Sequence, residues 1–137
     1  MLLRLFPKRG IKMTIQEAID RADEMKPNTM LRGLKVKQLT VIEQLIHDEI
    51  VMRHEHPAEM NTKPVYTEET DPTTELIVPD PYSDVYVDWL LTQIDRQNQE
   101  DGRYNVDRAH FENSYSTMRD WWTRNHMPVQ AVREFSI

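Results

Sequence analysis

The 137-residue sequence has no cysteine and only three glycines, Gly10, Gly33 and Gly102. Without cysteine there are no disulfides and no thiolate metal sites, which excludes redox and zinc-finger chemistry. With so few glycines there is no glycine-rich phosphate cradle, because such a loop needs several residues without a Cβ close together. Long apolar runs are also missing. The longest cover a few residues, against roughly 20 for a membrane-spanning helix, and Met1 to Phe6 is too short for a secretory leader. Synthesis in the cytosol and no membrane partner are expected. The chain is 29% charged and 39% hydrophobic with a formal net charge of -6, which fits one small domain.

Charge is unevenly distributed. Residues 1–12 hold Arg4, Lys8, Arg9 and Lys12 and no acid, so they read as a basic N-terminal tail, and Met13 is a candidate biological start. The remaining chain carries 13 basic and 23 acidic groups. Such a body repels a phosphate backbone, so specific or tight DNA binding is not expected, although DNA could slide past it.

Four helices are expected. Thr14-Ile15-Gln16-Glu17 has the form of a capping box, and Ile15, Ala18, Ile19, Ala22 and Met25 continue an apolar face until Pro27 and Asn28 stop it. A second helix spans about Leu34 to Arg53, with Leu39, Ile42, Leu45, Ile46 and Ile50 inward and Glu43, Gln44, Asp48 and Glu49 outward. His54 to Pro81 holds five of the eight prolines, and residues 65–84 hold six acids and no base, so 54–81 reads as an extended acidic loop. Lys63 to Tyr66 and Leu76 to Val78 either form two short strands or lie across the helices. The third helix is expected from Pro81 or Tyr82 with Asp80 as its cap, presenting Tyr82, Val85, Tyr86, Trp89, Leu90 and Ile94. A turn at Glu100-Asp101-Gly102 precedes a fourth helix with Tyr104, Phe111, Tyr115, Met118 and Trp122, ending near Asn125; an unbroken helix through Gly102 is the alternative. The fold class is therefore all-α: a small four-helix domain over 13–127, with helices three and four as a long antiparallel hairpin and Trp89, Leu90, Phe111 and Trp122 in its core.

No catalytic, cofactor-binding or metal-binding residue is assigned. His47 and His54 are seven apart, roughly 10 Å along a helix, too far to share one ion, and His54 and His56 fit a helix end, where cations favour the dipole. Glu68, Glu69, Asp71 and Glu75 lack the spacing and glycine of a calcium loop, and read as a solvated acidic loop. No carboxylate has the apolar flanks that would raise its pKa, and no serine sits in a nucleophile elbow. Trp121 and Trp122 are adjacent, so both cannot face inward, and one belongs at the surface or an interface. Beyond Pro128, Val129, Val132 and Phe135 form an apolar tail, 128–137, without a visible partner in the chain. Trp121, Val129, Val132 and Phe135 are the candidate partner-binding residues.

Leu76-Ile77-Val78-Pro79-Asp80-Pro81-Tyr82, Tyr86-Val87-Asp88-Trp89-Leu90, Arg103-Tyr104-Asn105 and Phe111-Glu112-Asn113-Ser114-Tyr115 form a pattern. It resembles the helical head-to-tail connector (adaptor, head completion) proteins of tailed bacteriophages, and Met13 to Asp20 and Lys26-Pro27-Asn28 fit their opening. The resemblance runs from about Met13 to Met127. It implies a virion protein, made in the host cytoplasm, that forms a ring, commonly of twelve copies. That ring would bind the portal, receive a tail-side stopper or tail completion protein, and keep the DNA channel continuous. On that basis the C-terminal tail is expected to dock on the portal or a neighbouring subunit, and the acidic residues Glu68, Glu69, Asp71 and Glu75 to face the lumen or the tail-side partner. The alternatives are a small helical phage-encoded regulatory or protein-interaction module and, further off, a metal-dependent enzyme of nucleotide or DNA metabolism.

Overall fold

In the computed structural model, which describes residues 11–129, four helices carry most of the chain and one two-stranded sheet ties its start to its middle. Helix α1, Ile15–Met25, begins at the expected capping box: Thr14 Oγ1 accepts from the Glu17 amide at 3.1 Å, and Glu17 Oε1 accepts from the Thr14 amide at 2.9 Å. Two otherwise orphaned amides are satisfied in this way. Ile15, Ala18, Ile19 and Ala22 are buried at helical spacing.

Helix α2, Arg32–Glu49, has no side-chain cap at Leu31. The Glu68 side chain lies over its first turn instead, where a Cβ on Gly33 would come within 2.8 Å of it. A carboxylate is favourable at this positive end of the helix. Val36, Leu39, Ile42 and Ile46 are buried, and Ile50 continues the face into a 3-10 turn at Val51–Arg53. Two expectations for this helix are corrected. Leu45 is 37% exposed, and Glu43 is completely buried rather than turned to solvent. Glu43 lies four residues after Leu39 and three before Ile46, so helix geometry places it on the apolar face.

The segment expected as an extended acidic loop is a strap tied to α2 and to the start of α1, with Lys63 to Tyr66 lying across α2. Pro64 O accepts from Gln44 Nε2 at 3.0 Å, and Tyr66 bonds Thr40 through both its amide and its carbonyl. Pro72 O and Thr74 O accept the Gln16 and Ile15 amides. Lys63 to Tyr66 forms no strand, since its backbone is satisfied by α2 side chains. Leu76 to Val78 lies in strand β2, Glu75–Pro79, which pairs antiparallel with β1, Lys12–Thr14. Lys12 thus belongs to the sheet rather than to a tail.

Helix α3 spans Asp84–Asn98, starting two or three residues later than expected. The Asp80 carboxylate accepts from Ser83 Oγ and caps no helical amide, while residues 81–83 form a turn. The break before helix α4, Asp101–Asn125, falls at Gln99 and Glu100. Gln99 is left-handed (φ 57°), and the Glu100 amide returns to Asp95 O at 3.0 Å. Gly102 is therefore not the turn residue; it sits in the first turn of α4, with open space where a Cβ would be.

Contacts between α3 and α4 pair rising positions with falling ones. Trp89 meets Phe111 with centroids 5.0 Å apart, and Asp88 accepts from Ser114 Oγ at 2.5 Å. Farther along, Lys26 holds Asp95 of α3 and, at 3.5 Å, Asp107 of α4. Leu90, Phe111 and Trp122 are buried and Trp89 is half-buried. Past α4 the chain turns back: Glu55 N donates to Met127 O at 2.7 Å and Val129 N to Arg53 O at 2.9 Å, around an antiparallel bridge between His54 and Pro128.

Candidate functional site

The most concentrated polar chemistry is at Glu43. It accepts from Tyr86 Oη at 2.5 Å, Tyr66 Oη at 2.8 Å and the Ile77 amide at 2.9 Å. The Tyr86 hydroxyl also accepts from the Val78 amide at 2.9 Å. One carboxyl group therefore joins α2, the strap, β2 and α3. Burial pushes its pKa up to about 7, although the three donors oppose this, and burial beside Glu43 pushes both tyrosine phenols well up. This corrects the expectation that no carboxylate has a raised pKa. The signal was present in the sequence, because Glu43 shares helical spacing with Val36, Leu39, Ile46 and Ile50. With no exposed surface and both oxygens engaged, Glu43 is a structural tie and not an acid that a substrate can reach.

The acidic strap residues are not gathered into one site. Glu68 covers Gly33, and Asp71 Oδ1 accepts from both the amide and the hydroxyl of Thr73, which hold its carboxyl below the usual range. Glu69 and Glu75 are exposed, Glu75 at the start of β2. Among the described residues no group of three or more His, Asp or Glu is arranged to hold a metal. His54 Nδ1 donates to Ile50 O at 2.7 Å, at the end of α2, and His47 Nε2 donates to Met60 O at 2.8 Å. His56 donates to His54 O and meets Asn61 Oδ1, acceptors that raise its pKa.

Trp121 and Trp122 divide as helical geometry requires. Trp122 is 4% exposed, lies flat on His126 with centroids 4.3 Å apart, and its indole N–H is buried without a hydrogen-bond partner. Trp121 is half-buried and stacks on Tyr82 at 4.9 Å, so the chain itself covers one of its faces. A cleft of about 210 Å³ opens beside the pair, between His56, Met60 and Ile77. Val129 is exposed, with its amide tied to Arg53, whereas Val132 and Phe135 lie outside the described residues.

Sequence reasoning missed an apolar row along α2: Leu34, Val41 and Leu45 are 42%, 44% and 37% exposed. Beside it, Leu45, Phe111 and Tyr115 line a groove of about 380 Å³ between α2 and α4, bridged where Tyr115 Oη donates to Glu49 at 2.8 Å. These residues offer surfaces for a protein partner and no nucleophile paired with a base. No protein-family model matches the chain, and neither curated proteins nor solved structures include a significant match to it.

Proposed function

We propose that the chain is a structural virion protein: a head-to-tail adaptor that forms an oligomeric ring, commonly of twelve copies, between the portal and a tail-side stopper or completion protein. The supporting observation is the way residues of the segments that carry the adaptor resemblance pack on one another and on α2. Tyr86 reaches Glu43, Asp88 meets Ser114, Trp89 packs on Phe111, and Tyr115 reaches Glu49. These contacts brace α3 and α4 as an antiparallel hairpin on α2, which is compatible with a helical adaptor. The outward apolar row of α2 and Val129 provide contacts for neighbouring subunits and the portal. The acidic strap turned to the lumen keeps the channel from holding DNA, because like charge repels the passing backbone. No step of this role needs a cofactor, a metal or a membrane.

Negative-stain microscopy of the protein mixed with portal particles from the same genome tests the reading. An added ring of density at the tail-facing end of the portal is the expected result. Bare portals beside a monomer would overturn it in favour of a small regulatory or interaction module.

A further inference from the structure

We infer that the cleft beside Trp121 and Trp122 is a binding site for a carboxylate carried on a small apolar group. Charge selects the ligand. Three of the side chains that line the cleft, Lys12, His56 and His126, are basic, and none of its lining residues among those described is acidic. In a chain with 23 acidic and 17 basic residues, that local balance is the reverse of the whole. Three separate parts of the fold build it: β1 brings Lys12, the segment after the 3-10 turn brings His56, and the end of α4 brings His126. Lys12 makes no ion pair among the described residues. Both ring nitrogens of His56 lie 2.7 Å from an oxygen, His54 O and Asn61 Oδ1, an arrangement in which both carry protons and the ring is a cation.

The cleft also lacks an acceptor. Trp122 forms part of its wall, and the Trp122 indole N–H is buried without a hydrogen-bond partner, a donor that an arriving oxygen can satisfy. His126 gives its own Nδ1 to Trp122 O at 2.9 Å and lies flat on the indole, so these two rings hold a fixed geometry. Met60, Ile77 and the half-buried Trp121 supply apolar walls. A volume of about 210 Å³ is below the roughly 300 Å³ at which sites for drug-sized molecules begin, and it admits one group the size of a side chain. Phosphate fits these walls poorly, because oxygens left against Met60 and Ile77 would lose water without gaining donors. A free organic acid and the last residue of a peptide share the chemistry that does fit. The site stands on its lining and does not depend on the adaptor role.

The test is a titration of the full chain at about pH 6, where imidazoles are largely charged, followed by the indole N–H signals in NMR spectra. The probes are N-acetylphenylalanine, its amide, which lacks the carboxylate, and inorganic phosphate. Saturable shifts of the Trp121 and Trp122 signals are expected with the acid alone. Trp89 donates to Gln38 O away from the cleft, and its signal should stay in place. Lys12→Met and His56→Gln should each weaken binding about tenfold, the loss of one charged partner. A peptide ending in phenylalanine that binds more tightly than the free acid would support the site and assign it to a protein terminus; tighter binding of the acid would support it and assign it to a small molecule. Equal shifts with acid and amide would overturn the inference, since the cleft would then be merely apolar. So would shifts with phosphate alone, the absence of any saturable shift, or undiminished affinity in both variants.

Discussion

Helices α3 and α4 lie side by side and are built on opposite terms. Of the 15 residues of α3, nine are buried, including Thr92, Gln93 and Asp95; of the 25 residues of α4, only Phe111, Met118 and Trp122 are. α3 packs against α1, α2 and α4, and two of its buried polar groups have partners inside the fold, Thr92 with Asp88 O and Asp95 with Lys26. α4 touches the body along one narrow stripe and presents the rest to solvent. A helix with so small a buried face gains little from its length in an isolated domain, since packing of the apolar face supplies most helical stability. The contrast identifies α3 as the helix that makes the fold and α4 as the helix with surface to spare.

Three changes sharpen that contrast. The largest effect is expected at Lys26, which joins the two helices by holding Asp95 and Asp107. Asp95 is fully buried and its Oδ2 already lacks a partner, so Lys26→Met leaves an uncompensated charge and should cost about 4 kcal/mol in urea unfolding. A loss under about 1 kcal/mol would mean that Asp95 is not held as described.

Next is the pH dependence set by Glu43. Its folded pKa of about 7 lies above the ordinary 4.5, so across that interval the folded chain keeps a proton that the unfolded chain releases. This contribution is fully present below the ordinary value and is lost as pH rises through 7, a fall on the order of 3 kcal/mol. Unfolding midpoints near pH 5 and pH 8 should show it, and Glu43→Gln should flatten it. The smallest effect is expected on the open face of α4: Val106→Ser, at a position 57% exposed, should change stability by less than about 0.5 kcal/mol. A larger loss from that change would mean that α4 is covered in solution, as it would be inside an assembled ring.

Elements specified by local chemistry were legible in the sequence. The capping box at Thr14 and Glu17 located α1 to the residue, and the three-and-four spacing of Phe111, Met118 and Trp122 located the inner stripe of α4. What depended on distant partners was not legible. Lys12–Thr14 is too short to show strand periodicity and becomes a strand because β2 lies beside it. Periodicity in the strap does not decide between a strand and a path across the helices, because its anchors, Thr40 and Gln44, belong to α2. The charge of Glu43 points it to solvent while its position on the helix puts it inside, and the donors that allow this lie 23 to 43 residues away. The candidate site was legible as residue types and not as a surface. Trp121 is partly covered by Tyr82, while the row Leu34, Val41 and Leu45 stands out only once the apolar face of α2 is seen to exceed what the core takes up.

The placement of the indoles has an optical consequence. Trp89 donates to Gln38 O at 3.0 Å, Trp121 lies on Tyr82, and Trp122 lies on His126, so all three chromophores sit on α3 and α4 in different settings, and the strap carries none. Intrinsic emission therefore reports on the hairpin side of the molecule. A partner that settles in the cleft beside Trp121 should shift the spectrum, whereas one that settles on the acidic stretch 67–75 of the strap should leave it dark to this probe, and the colour of the response would distinguish the two places.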